Sequence, residues 1–368
     1  MAEGVDAEHV AKQLVDELRA PDLECAFVFA DWRLDPNVIA RVTQRGLSPA
    51  RVVGGTSVQV IGSRTLSMAA VGLGLYGDWL RVGIGMAPEL SKSPLTRSRD
   101  AVHTAAMALG LSTETLDPSR HVGITFVDGR SGHEEAFCIG SAAAAPQIRF
   151  VGGCAAIDIN TPGKTYVWAH GEVMSDAGIV VLLQSALPCY AVTSSHLVPT
   201  ELKTVVTAAS GRNILELDGR PALARLTELV AKLGDTLDRP QPSHCFARYI
   251  EGTPYVRSIM GFEGDQLRLA SAVEVGHVLR IMRPGDLIGQ TRRDLAIAAE
   301  RVGGTMSALL AFSCMGRHWE AGARGLEKEL AETYAAYPTT GFQTLGEQSG
   351  MLLVNHTLTG LAIGARKL

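Results

Sequence analysis

The sequence predicts an α/β protein of two domains, with mixed sheets covered by helices and built from duplicated β-α-β-β-β units. Three observations predict it. Apolar runs of strand length alternate with amphipathic helical stretches. The segment RVVGGTS (51–57) returns as IRFVGGCA (148–155), each time after a strand and a helix. A third and looser strand-helix-strand set runs from LLAFSC (309–314) to GFQTLGEQ (341–348).

The elements follow in order. MAEGVDAEHVAKQLVDELRA has no apolar signal-peptide core, and Val10, Leu14 and Leu18 give it one apolar helical face. CAFVFAD (25–31) is a buried-type strand. Asp35 and Pro36 supply an N-cap and a first-turn proline for a helix that closes at Gly46. RVVGGTS is the second strand, and MAAVGLGLY and LRVGIGM follow as two strands around the turn Gly77-Asp78. In the second unit HVGITFVDG (121–129) is the strand, and Ser131 caps a helix through Phe137 and Ala143. TYVWAHGEV and GIVVLLQ are its later strands. PALARLTELVAKLGD reads as a helix with a leucine face, and 232–245 as a linker. PYVRSIMGF and LRLASAV read as a hairpin about Glu263-Gly264-Asp265. In the third unit a helix spans 317–336, and MLLVNHTLTGLAIG forms a hairpin edge.

Bulk properties exclude several functions. A net charge of −4 without a basic stripe argues against nucleic acid. The apolar run near Ile179–Leu183 is far too short to span a membrane. Six scattered cysteines without a CxxC pattern read as free thiols in the cytoplasm, not as a zinc site. The glycine pairs Gly54-Gly55 and Gly152-Gly153 make no GxGxxG and open no helix, so they read as close-packing positions rather than a dinucleotide loop. Glu134 and Glu135 read as a solvated helix face, and no metal spacing is present.

The candidate site lies in SCMGR (313–317), GEQ (346–348) and NHT (355–357). Cys314 sits at a helix N-terminus near Arg317, a setting that lowers a thiol pKa. His318 is a base only in principle, because the helix already holds it, so an inert buried cysteine stays the competing reading. Arg317 and Glu347 suit either a structural ion pair or capture of a carboxylate and an amine. Alternation along a strand puts Asn355 and Thr357 on one face and His356 on the other. With Ser313 these make a polar set, Ser313, Cys314, Arg317, Glu347, Asn355 and Thr357, in an apolar wall. No catalytic constellation is complete.

This set of motifs resembles the FIST family (F-box and intracellular signal transduction proteins). VVGGTS, FVGGCAAID and VTAASGRNILELDGRPA (206–222) resemble its N-terminal half, while AFSCMGR, GFQTLGEQ and NHTLTGLAI resemble its C-terminal half. The family's VGCST-like motif stands here as Gly55-Thr56-Ser57, without its cysteine. The resemblance implies an N-terminal helix over 1–24, a FIST-N-like domain over 25–220 and a FIST-C-like domain over 221–368. It implies a cytoplasmic, non-enzymatic sensor of a small ligand, amino acids having been proposed for the family. Such a sensor signals through a separate signalling protein or a homo-oligomer. Some members bind haem, for which His356 or His318 would be the axial ligand here. A thiol enzyme using Cys314 is the other alternative.

Overall fold

The computed structural model describes residues 1–365 apart from Val5, Ser63, Arg64, Arg239 and Glu251, so Arg239 of the expected linker lies outside the described residues. The Asp35 cap and most of the predicted strands form, whereas Ser131 does not cap: the second unit's helix, Glu134–Ala144, starts at His133 without a side-chain cap. Asp35 accepts the backbone N–H of Asn37 and starts the helix Pro36–Leu47. The strands Leu23–Asp31 and Arg51–Ser57 pair in parallel across that helix. So do His121–Asp128 with Arg149–Ala155, and Met306–Cys314 with Thr339–Thr344. The rule that parallel neighbours need a crossover helix explains why each unit carries one.

These three parallel pairs are the centres of three sheets with one strand order. Each lead strand has an antiparallel neighbour on its other side: Ala69–Tyr76, Gly178–Ser185 and Leu358–Gly364. Beyond each second strand lies a short hairpin donated by a different unit. Val167–Ala169 of the second unit joins the first sheet, Glu347–Ser349 of the third joins the second, and Val60–Ile61 of the first joins the third. The exchange is cyclic, so no unit completes its own sheet.

Several readings change. MLLVNHTLTGLAIG is not a hairpin: Leu352–Val354 lies in the second sheet and Leu358–Gly364 in the third. The strands around Gly77-Asp78 do not pair: Ala69–Tyr76 lies in the first sheet and Leu80–Ala87 in the second. TYVWAHGEV is itself a hairpin, Val167–Ala169 with Glu172–Met174, turning at His170 and Gly171 in left-handed backbone. The predicted long helix of the third unit is two, Met315–Arg324 and Glu327–Ala335, divided at Gly325 with φ 67°. Glu134 is buried and paired with Arg212 rather than solvated.

The three sheets meet at an aromatic centre. Phe29, Phe126 and Phe312 occupy matching places on the lead strands, opposite Gly55, Gly153 and Phe342. Phe342 fills the third position and stacks on Phe29 at 4.4 Å between ring centroids. The glycine pairs are thus packing positions: a Cβ at Gly54 would lie 1.6 Å from the carbonyl oxygen of Val28, and one at Gly152 would lie 2.3 Å from that of Thr125.

A fourth sheet, wholly antiparallel, is inserted between the second and third units and runs from Val198 to Arg283. The helix Ala222–Ala231 packs its leucine face on this sheet through Leu223, Leu226 and Leu229.

Candidate functional site

The lead strands end in equivalent turns. In the first unit the Asp31 carboxylate accepts the backbone N–H of Arg33 at 3.0 Å and of Met68 at 2.7 Å. In the second, Asp128 accepts those of Arg130 at 3.0 Å and Asp176 at 2.6 Å. Met68 and Asp176 have φ of 51°, and His356 in the third unit has 55°. There Cys314 takes the aspartate's place, with the N–H groups of Gly316 and His356 directed at its sulfur. Cys314 is therefore the counterpart of two turn-holding aspartates. Burial, and then the nearby Glu347, push its thiol well above its ordinary range. The helix N-terminus and Arg317 do not overcome that desolvation, so the expected lowering of the Cys314 pKa does not occur.

Glu347 is fully buried and its pKa is pushed up to about 8 by that burial. The hydroxyls of Thr344 and Thr357 donate to its two oxygens, Thr357 at 2.5 Å, and the Cys314 thiol adjoins it. It stands at neutral pH mainly as a carboxylic acid in a neutral network. Arg317 makes no hydrogen bond to it, although its charge acts on the Glu347 carboxyl. It has no exposure, its Nη2 donates to Thr291 Oγ1 at 2.7 Å, and its Nε and Nη1 are without a partner. The Arg317–Glu347 ion pair is absent among the described residues.

The remaining predicted residues scatter further. Ser313 pairs with the Tyr334 hydroxyl at 2.8 Å. Asn355 Oδ1 accepts from Ser271 at 2.6 Å, and its Nδ2 has no partner. Residues 355–357 are not strand. The left-handed His356 breaks the alternation, and Asn355, His356 and Thr357 are all buried. His318 is half-buried with its Nε2 inside the protein, and desolvation pulls its pKa down to about 3.

Sequence reasoning missed two features. In the first, Nε2 of His196 and Nε2 of His356 each lie 2.8 Å from Oε2 of Glu320, all three residues being buried. Burial alone would raise the Glu320 carboxyl, but the two imidazole hydrogen bonds hold it well below its usual range. Burial lowers His196 to about 4. The same burial opposes charge on His356, but Cys245 and Glu320 on its two ring nitrogens push it up to about 10. The three residues are separated by 124 and 36 positions, so no spacing pattern could reveal them.

The second is a cleft of about 460 Å³ where the inserted sheet meets the second unit. Arg130, Arg212, Arg268, Asn160 and Asn213 line it. Arg130 holds the adjoining loop through the carbonyls of Asp158, Ile159, Thr161 and Gly163. Arg212 pairs with Glu134, whereas among the described residues Arg268 has one ion-pair partner, Glu263 at 3.6 Å. Arg212 and Asn213 come from the motif VTAASGRNILELDGRPA, but no spacing pattern joins them to Arg130, Asn160 and Arg268, which lie in separate segments of the chain.

Among the described residues no helix is long and apolar enough to cross a membrane. Among solved structures, the crystal structure of cyanuric acid hydrolase from A. caulinodans is similar over 100% of this chain and 98% of that one. Its identity is 11% and its TM-score 0.37, which carries no argument about activity. No curated protein matches the chain. The FIST N domain model matches residues 7–220 and the FIST C domain model matches residues 222–350. The chain therefore belongs to the FIST family, whose domains are associated with sensory proteins of signal transduction.

Proposed function

We propose that this protein is a non-enzymatic sensor that binds a small anionic ligand, of the size and kind of an amino acid, in the arginine-lined cleft. One observation carries the reading: a cleft of about 460 Å³ with three arginines and two asparagines on its walls. That volume suits a small molecule, and guanidinium forks suit its carboxylate. The cleft lies between the inserted sheet and the second unit, so an occupant would bridge the two and alter their packing. Such a change is what a separate signalling protein would read. Cys314, the nucleophile candidate, is buried and held as a thiol, which supports binding over catalysis. Six free cysteines suit a reducing cytoplasm.

Calorimetric titration with a panel of amino acids and small dicarboxylates tests this. Arg268→Ala is expected to weaken the best binder about tenfold or more, which is about 1.4 kcal/mol. Unchanged affinity would sink the cleft as the site.

A second reading rests on Arg317, whose buried guanidinium leaves two nitrogens unpartnered. If it anchors the ligand's anionic group, with Glu347 and Asn355 nearby, Arg317→Ala should cost about 2–5 kcal/mol of binding. The same titration separates the two readings, because the cleft reading expects binding to survive that change in any chain that still folds.

A further inference from the structure

We propose that His196, Glu320 and His356 bind a divalent transition-metal ion such as Zn²⁺, with one coordination position left open. This site is separate from the arginine-lined cleft and does not depend on it. Its three ligand atoms, two imidazole nitrogens and one carboxylate oxygen, all lie within 4.8 Å of one another. That donor set suits zinc and its first-row neighbours, and the imidazoles disfavour magnesium or calcium. Each nitrogen is now 2.8 Å from the oxygen. Around a tetrahedral ion with bonds of about 2.0–2.1 Å, adjacent ligand atoms stand roughly 3.3 Å apart. Each nitrogen would move about half an ångström away from the oxygen, and the two nitrogens, which stand within 4.8 Å, would draw toward each other around the ion.

The outer partners of such a site are already in place. Arg324 Nη1 donates to Oε1 of Glu320 at 2.5 Å, which fixes the carboxylate and leaves Oε2 for the ion. Cys245 Sγ lies 3.5 Å from His356 Nδ1, so the ring can donate there while Nε2 gives up the proton it shares with Glu320 and binds the ion. Orientation of a ligand histidine through its second nitrogen is the usual support for a metal. His196 Nδ1 is buried with no partner. A narrow crevice lined by Ser243, Ser258 and Trp319 reaches Glu320 and His356, with about 10 Å³ of room. That is close to the space one water needs, and a water is the expected fourth ligand.

An ion here would tie three distant pieces together. His196 follows the edge strand Cys189–Ser194 of the third sheet, Glu320 lies on the helix Met315–Arg324, and His356 precedes the strand Leu358–Gly364. The competing account is a metal-free hydrogen-bonded triad, with both imidazoles donating to one oxygen. The full-length protein, stripped with a chelator and titrated with Co²⁺, distinguishes them. We expect one equivalent bound, visible bands of four-coordinate cobalt without thiolate charge transfer, and displacement by Zn²⁺. His196→Gln and Glu320→Gln should abolish the bands, while His103→Gln, on an exposed part of the helix Pro94–Ala108, should keep them. No cobalt uptake, thiolate charge-transfer bands, or bands that survive both substitutions would each overturn the proposal. Should the substituted chains fail to fold, the wild-type cobalt spectrum decides, since nitrogen-oxygen and sulfur ligation differ in it.

Discussion

The buried end of the third unit and the arginine-lined cleft make an instructive pair. The first is built from the most conspicuous stretches of the sequence, SCMGR, GEQ and NHT, yet Cys314, Glu347 and Thr357 close on one another inside the protein. The second draws on residues that were given no site role in the sequence, yet it is open and carries charges that a ligand can use. A motif that stands out can be spent on holding backbone. Cys314 does for the third unit what Asp31 and Asp128 do for the other two.

The sharpest way to break this comparison is to attack the turn-holding groups. Asp128 is buried and accepts two backbone N–H groups and the Thr165 hydroxyl. Asp128→Ala should cost about 3–5 kcal/mol in urea unfolding, because the orphaned donors stay buried. Cys314→Ala, which removes a neutral acceptor, should cost about 1–2 kcal/mol. Equal losses would mean that the thiol carries more than a turn.

Packing gives the next contrast. Gly152→Ala would drive a Cβ into the Thr125 backbone, whereas at Gly55 the nearest atom is 3.2 Å away. The first substitution should lose about 1–3 kcal/mol and the second clearly less, by thermal or urea unfolding.

The pH dependence sharpens the account of Glu347. The folded protein keeps its proton up to about pH 8, while the unfolded chain releases it near the ordinary value of 4.5. Between those values the unfolded state holds fewer protons, so this group's contribution to stability falls as pH rises. Glu347→Gln should flatten that slope in urea midpoints taken from pH 5 to 9. An unchanged slope would show that Glu347 is ionised in the fold.

Much of the fold was legible because local chemistry specified it. Asp35-Pro36 started a helix, RVVGGTS was a strand to the residue, and the repeated order marked related units. The exchanged hairpins were not legible, since pairing Val60–Ile61 with the strand Thr339–Thr344 spans most of the chain. The NHT reading failed at one torsion: φ of 55° at His356 ended the alternation on which it relied. Glu134 was misplaced because its partner, Arg212, lies 78 residues away. The site residues were recognisable by type, but their partners were set by tertiary contacts.

The smallest stability change and the most direct test come from the cleft. Arg268 is half-exposed, and Arg268→Ala should shift stability by no more than about 0.5 kcal/mol. The measurement to make is calorimetric titration of wild type, Arg268→Ala and Cys314→Ala with the same amino-acid panel. The account predicts a ligand that binds wild type and Cys314→Ala alike and Arg268→Ala about tenfold or more weakly. Binding that survives Arg268→Ala but disappears in a folded Cys314→Ala would contradict it and return the function to the buried motifs.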